Sequence, residues 1–327
     1  MNTGIITVTL NAAIDKTYYM NHFESGSVMR VDRVHAIAGG KGLNVARVLQ
    51  QLGHKDVTAT GFKAGYNGQF IAKAAEDEGI HTEFVDIKGE SRVCLSIVDE
   101  ENHSFTEVLE PGPLVTIDDE ARMKEHMKEL AQRASLVIIS GSMPKGCRLE
   151  LYKELIEICT LQGVDVFLDA SGNGLVEGMR GKPALIKPNE DEIKPWLKPD
   201  GNGKDAFGME NGISLRSYGR AIQNIAKDTG IPRIIVSLGA KGALACMDGV
   251  LYRIRIPELK AVNPVGSGDS FVAGFAYAHV RQMPVEQCLR YAAAAGSANA
   301  LKPTAGCVEP EDHMRLMEQI EVEKWID

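Results

Sequence analysis

Short apolar runs alternate along the chain with longer stretches in which apolar residues recur every three to four positions. Residues 4–10, 57–61, 136–140, 164–168, 184–186 and 234–237 are rich in Val, Ile and Leu, and several are closed by a polar or glycine residue, which predicts buried strands. Helical spacing predicts helices over 42–52, 68–78, 118–131, 149–162 and 215–228. The last third reads as mostly helical, over 270–281, 284–301 and 310–319. Strand–helix alternation of this kind predicts an α/β fold in which a parallel sheet is covered by helices on both faces. Such sheets bind ligands beyond the carboxyl ends of their strands.

Two regions break the alternation. Residues 18–37 and 92–109 read as strands with no helix between them, and the acidic turn Asp99-Glu100-Glu101-Asn102 makes 92–109 a hairpin. They predict a small sheet, either set apart as a lid over a site or joined to the edge of the main sheet. Residues 198–212, with Gly201, Gly203, Gly208 and Gly212, read as a surface loop. No repeat and no linker divides the chain, so residues 1–327 are expected to form one domain.

The densest chemical signal is Val262-Asn263-Pro264-Val265-Gly266-Ser267-Gly268-Asp269-Ser270, just before an apolar helix. A glycine turn at a helix N-terminus presents free N–H groups and the positive end of the dipole to an anion. Asp269 in that first turn is placed to take a proton from an attacking hydroxyl, although a capping Asp on a tight loop has the same pattern. A second cluster, Gly39-Gly40-Lys41-Gly42-Leu43-Asn44, opens a predicted helix, with Lys41 and Asn44 as donors suited to a sugar phosphate. Asp15 follows the strand-like Thr9-Leu10-Asn11 and suits two sugar hydroxyls. In Lys187-Pro188-Asn189-Glu190-Asp191-Glu192, Asn189 and Glu192 are expected on one face of a helix, holding Mg²⁺ through its waters. Ser237-Leu238-Gly239-Ala240-Lys241-Gly242 is a third strand-end turn fit for phosphates, and Ser140 and Ser142 offer hydroxyls at a fourth. No segment supplies the Walker A spacing, and Gly266-Ser267-Gly268 lies too late for a dinucleotide fingerprint.

Composition narrows the classes. A net charge of −8 without a dense basic cluster argues against nucleic acid, and no apolar run reaches the ~20 residues of a membrane span. Six scattered cysteines, no signal peptide and no metal-ligand spacing among eight histidines fit a cytoplasmic protein with reduced thiols.

Taken together, the segments from Gly39 and from Gly266 resemble the two signatures of the ribokinase-like (PfkB) carbohydrate kinase family, over essentially the full length. Thr9-Leu10-Asn11 with Asp15 and Gly39-Gly40-Lys41-Gly42 are similar to its phosphosugar branch of tagatose-6-phosphate kinases and 1-phosphofructokinases, and Asn263-Pro264-Val265-Gly266-Ser267-Gly268-Asp269-Ser270, Ile87-Lys88-Gly89-Glu90-Ser91-Arg92 and Gln319-Ile320-Glu321-Val322 resemble the tagatose-6-phosphate kinases in particular. The resemblance implies a mostly parallel central sheet flanked by helices, with a β-lid at about residues 15–38 and 91–110 that often forms a homodimer contact. It implies ATP and Mg²⁺ and a ketohexose monophosphate whose free primary hydroxyl is phosphorylated, tagatose 6-phosphate or alternatively fructose 1-phosphate. By the same resemblance Asp269 is the base and the N–H groups of Gly266, Ser267 and Gly268 the anion hole. Asp15, Gly39, Gly40, Lys41, Asn44 and Arg92 surround the sugar phosphate. Lys187, Asn189, Glu192, Ser237, Gly239 and Gly242 lie near ATP and the metal, and Asn299 near the base. Two departures, Ala12 for the branch's Pro and Ser267 for the family's common Ala, remove no reacting group. A neutral-sugar kinase and a non-catalytic sugar-phosphate regulator are the competing classes; Lys41 with Arg92 disfavours the first, and Asp269 the second.

Overall fold

The computed structural model describes residues 3–198 and 214–325, so beyond Lys198 the expected loop over 198–212 lies outside the described residues. In chain order the strands are β1 (Ile5–Thr9), β2 (Ala13–Met20), β3 (Arg33–Gly39), β4 (Val57–Ala64), β5 (His81–Thr82), β6 (Val85–Ile87), β7 (Arg92–Asp99) and β8 (Ser104–Leu109). Then follow β9 (Leu136–Ser140), β10 (Asp165–Asp169), β11 (Leu185–Ile186), β12 (Arg233–Ser237), β13 (Ala243–Met247), β14 (Val250–Arg255) and β15 (Glu321–Lys324). The helices are α1 (Lys41–Gln51), α2 (Gly65–Asp77), α3 (Ile117–Ala131), α4 (Glu150–Leu161), α5 (Gly172–Met179), α6 (Leu215–Thr229), α7 (Ser267–His279), α8 (Val285–Ala300) and α9 (Pro310–Met317).

The main sheet runs β15-β14-β13-β12-β11-β10-β9-β1-β4-β5, with β6 also on β4. From β12 to β5 every pairing is parallel, with Ile5 registered against Val57 on one side and Leu136 on the other. All five residues of β1, Ile-Ile-Thr-Val-Thr, are buried, as a strand covered on both faces requires. The pleat sorts its side chains: Ile5 joins the core under α1, α7 and α8, while Ile6 and Val8 join the core under α3, α4 and α6. Helix boundaries follow local chemistry. Thr116 and Asp119 form a reciprocal capping box at the start of α3, and Gly230 closes α6 in the left-handed conformation. Small residues bring α7 and α8 together, since a Cβ on Gly274 would lie 2.5 Å from the Tyr291 carbonyl oxygen.

The helices expected over 270–281, 284–301 and 310–319 are α7, α8 and α9, and the strands β13, β14 and β15 were not foreseen. β12–β13, β13–β14 and β14–β15 are antiparallel. The two-residue turn Asp248-Gly249, with φ of 50° and 85°, closes the β13–β14 hairpin, the geometry Asp-Gly favours between right-twisted strands. The other sheet is separate, in the order β3-β2-β7-β8, with β2 parallel to β7 so that Asp15 sits opposite Cys94. The strands foreseen over 18–37 are thus β2 and β3, joined by the irregular stretch 21–32, and the hairpin over 92–109 is β7–β8. Among the described residues no helix is long and apolar enough to cross a membrane.

Candidate active site

A cleft of about 1770 Å³ lies between the small sheet and the carboxyl ends of the main-sheet strands. Its floor is the start of α7. Gly266, at φ 81°, caps the helix, and the first-turn N–H groups of Gly268 and Asp269 have no acceptor four residues back. Ser267 N–H instead donates to the Pro264 carbonyl (3.1 Å), so that donor of the expected anion hole belongs to the turn. Asp269 is only 5% exposed and lines the cleft. Its Oδ2 accepts from Asn44 Nδ2 at 2.8 Å. Burial pushes the Asp269 carboxyl up to about 7, and the negative Asp169 adds to this; Lys41, the Asn44 bond and Lys187 pull the other way.

Lys41 and Lys187 share one buried carboxylate. Their Nζ atoms lie 3.6 and 3.2 Å from Asp169 Oδ1. Asp169 ends β10 and is 1% exposed, yet neither of its oxygens is in hydrogen-bonding geometry with a partner. Asp169 is also the main reason the Lys41 ammonium is held above its ordinary value, with burial opposing and Asp269 and Glu192 adding. Lys187 reaches the floor, since a Cβ on Gly268 would lie 3.3 Å from its Nζ.

Asp15 lies within β2, on the small sheet, and not at the end of β1. Burial raises its carboxyl; Arg47, Arg92 and a bond from the Gly40 N–H oppose this. Gly39 makes room for it, because a Cβ there would fall 2.1 Å from Asp15 Cγ. Gly40, Lys41 and Arg92 line the same end of the cleft. Arg92 Nε donates to the Asn11 carbonyl (3.1 Å), and no hydrogen bond among the described residues engages its two terminal nitrogens. At the other end, the loops after β11 and β12 are bridged at Asn189 and Ser237, and Gly239 and Gly242 complete that wall.

Several expected residues sit differently. No α-helix begins at Asn189; a turn leads to a single 3₁₀ turn at Lys194–Trp196. Asn189 and Glu192 still meet, because Asn189 N–H donates to Glu192 Oε2 (2.9 Å) and Glu192 N–H to Asn189 Oδ1 (2.8 Å). Asn299 is fully buried behind the cleft wall and is not part of its lining. Its amide ties the two loops together, donating to the Val265 carbonyl (2.8 Å) and accepting from the Gly306 N–H (2.8 Å). Ser140 is buried with an unpartnered hydroxyl, and Ser142 accepts from Asn11 Nδ2 at 3.4 Å; neither lines the cleft. Asp169 was absent from the sequence expectations, although the apolar run Val166-Phe167-Leu168 ending in an Asp was a legible strand-end signal.

A buried carboxylate at a helix N-terminus, two lysines and a strand-end cleft define a group-transfer site for an anionic substrate. The chain belongs to the pfkB family of carbohydrate kinases, which it matches over residues 8–312. Tagatose-6-phosphate kinase of Staphylococcus epidermidis is 38% identical over 320 residues, 97% of this chain and 99% of that protein. Phosphofructokinase-2 of Escherichia coli, solved with potassium, is 25% identical and superposes with a TM-score of 0.86 over 97% of this chain and 99% of that one. The same enzyme has been solved with fructose-6-phosphate. Arabidopsis thaliana ribokinase, 21% identical with a TM-score of 0.75 over 97% of this chain and 99% of its own, shares the fold. The protein is therefore a phosphotransferase with an alcohol acceptor, and its class implies ATP as donor.

Proposed function

We propose that this kinase transfers the γ-phosphoryl group of ATP to the free primary hydroxyl of a ketohexose monophosphate, tagatose 6-phosphate giving tagatose 1,6-bisphosphate. The observation that carries the reading is the buried Asp269 carboxylate in the first turn of α7, in one cleft with Lys41, Lys187, Asp15 and Arg92. Asp15 accepts sugar hydroxyls, and the planar fork of Arg92 takes the phosphate already on the sugar. Asp269, ionised above its raised value, accepts the proton of the attacking hydroxyl. Lys41, Lys187 and the Gly268 N–H face the charge that spreads over the transferring group.

Mg²⁺ fits the acceptors present: Glu192 Oε1 is left over from the bond to Asn189, and Asp169, which faces Lys41 and Lys187, accepts no hydrogen bond in good geometry. Both suit a cation that keeps part of its water shell, which when bound supplies charge neutralisation. A homodimer through the small sheet completes the proposal. β8 is exposed along its whole length, with Phe105, Val108 and Leu109 each more than half exposed. Sedimentation of the full chain as a monomer at micromolar concentration would remove the dimer.

The test is Mg²⁺-dependent ADP release with tagatose 6-phosphate, fructose 1-phosphate, fructose 6-phosphate and free fructose, compared by kcat/KM. Preference for tagatose 6-phosphate supports the reading, preference for fructose 1-phosphate makes the chain a 1-phosphofructokinase, and no turnover with any phosphosugar overturns it. Arg92→Ala is expected to lower kcat/KM for the phosphosugar ten- to a hundredfold, about 1.5–3 kcal/mol for a charge-assisted contact, and to leave free fructose unaffected. An equal loss on both would take the phosphate away from Arg92.

A further inference from the structure

Behind the cleft floor a second buried cation takes no part in the chemistry above. Arg47 lies one turn after Asn44 on α1, so the two side chains share a helix face. Its guanidinium is buried and engaged on three sides. Nε donates to Glu78 Oε2 (2.6 Å), Nη2 to the Ala38 carbonyl (2.5 Å) and Nη1 to Asn44 Oδ1 (3.0 Å). Asn44 Nδ2 then donates to Asp269 Oδ2 (2.8 Å). Gly306 closes over the pair; a Cβ there would lie 3.1 Å from both Arg47 Nη1 and Asn44 Cα.

An amide can turn either its oxygen or its NH₂ toward a neighbour. Asn44 stands between a cation and a carboxylate. A flipped amide would set NH₂ against the guanidinium and Oδ1 against Asp269, losing two charge-assisted bonds in a buried place. We propose that Arg47 is a positioning residue for phosphoryl transfer: it locks the Asn44 amide so that Asn44 holds Asp269 Oδ2 and leaves Oδ1 to receive the substrate proton. This rests on the reading of Asp269 as the base. Oδ1 accepts no hydrogen bond among the described residues, which suits that task. The Arg47 cation is also the first of the charges that restrain Asp15, so one buried residue bears on both carboxylates of the cleft.

The test is the pH dependence of kcat/KM for the phosphosugar, using the full chain. The groups that face Asp269 are Lys41 and Asn44 from α1, Asp169 from β10 and Lys187 after β11, and a substitution at Arg47 replaces none of them. Arg47→Lys keeps a cation for Glu78 but has no second nitrogen for Asn44. Losing the locked Asn44 bond removes support for ionised Asp269. The acid limb should therefore move to higher pH by about half a unit or more, with roughly a tenfold loss in kcat at pH 7. In an Asn44→Ala background the same change should add no further shift, the non-additivity of residues acting in series. An unmoved limb in Arg47→Lys, or additive shifts, overturns the proposal. If Arg47→Lys does not fold, Glu78→Gln must shift the limb in the same direction by less, and an unmoved limb there overturns it equally. Asp269→Asn separates the two failures. Full turnover in that variant removes the base itself, whereas a dead Asp269→Asn beside an unmoved Arg47→Lys removes only the role of Arg47.

Discussion

Asp269→Asn is expected to lower kcat with the phosphosugar by at least ~10²-fold while KM changes little, the scale of losing a positioned general base. The substitution keeps the shape of the side chain and an oxygen for Asn44, so binding contacts persist and proton acceptance is lost. The same carboxyl sets the pH profile. Burial and Asp169 raise it to about 7, so the ionised, proton-accepting form dominates above that value and kcat/KM should fall as pH drops through it. The sign for stability is opposite. Because the folded value lies above the unfolded one, ionising Asp269 costs stability as pH rises from the ordinary carboxyl range through about 7. The Asn variant carries no such cost and should unfold at pH 8 at no lower urea concentration than the parent. Loss of turnover in a stable variant assigns the defect to chemistry; near-parental kcat would remove Asp269 from the mechanism.

Asp169→Ala should be the most damaging substitution for stability, about 3–5 kcal/mol, because it strips the shared counter-ion from buried Lys187 and part-buried Lys41. Urea unfolding reads this as a lower midpoint at unchanged slope. An unmoved midpoint would mean that water already compensates the two lysines. The pH profile supplies a second reading. The Asp169 charge helps to raise Asp269, so its removal should carry the acid limb to lower pH, opposite to the shift expected for Arg47→Lys. Two substitutions around one carboxylate thus move its titration in opposite senses, a pattern that a general loosening of the site would not produce.

Much of the site was legible because its residues sit where strand-end logic places them. Asp269, Lys41, Asn189 and Ser237 all follow short apolar runs or open helices, and glycines near Asp269, Lys41 and Ser237 mark the turns. Asp169 obeys the same rule, with Gly172 and Gly174 close behind it, and is nevertheless missing from the expected site residues. The β13–β14 hairpin was readable too, since Asp248-Gly249 between two alternating runs is a strong hairpin signal. The sequence reading nevertheless assigns no element to the runs at Ala243–Met247 and Val250–Arg255. The resemblance expects Asn299 near the nucleotide; in the fold its side-chain amide bonds to the loops at 265–267 and 306–307.

Local periodicity and turn chemistry were enough for the α/β class, the positions of most central strands along the chain and the location of two glycine turns, since each depends on neighbours a few residues apart. The burial that raises Asp269, the carboxylate shared by Lys41 and Lys187, and the Arg47–Asn44–Asp269 series depend on α1, β10 and α7 meeting in space. Asn44 and Asp269 are 225 positions apart in the chain yet 2.8 Å apart in the fold, and no local pattern encodes that distance. The strength of a charge interaction depends on separation and on exclusion of water, and both are properties of the packed chain.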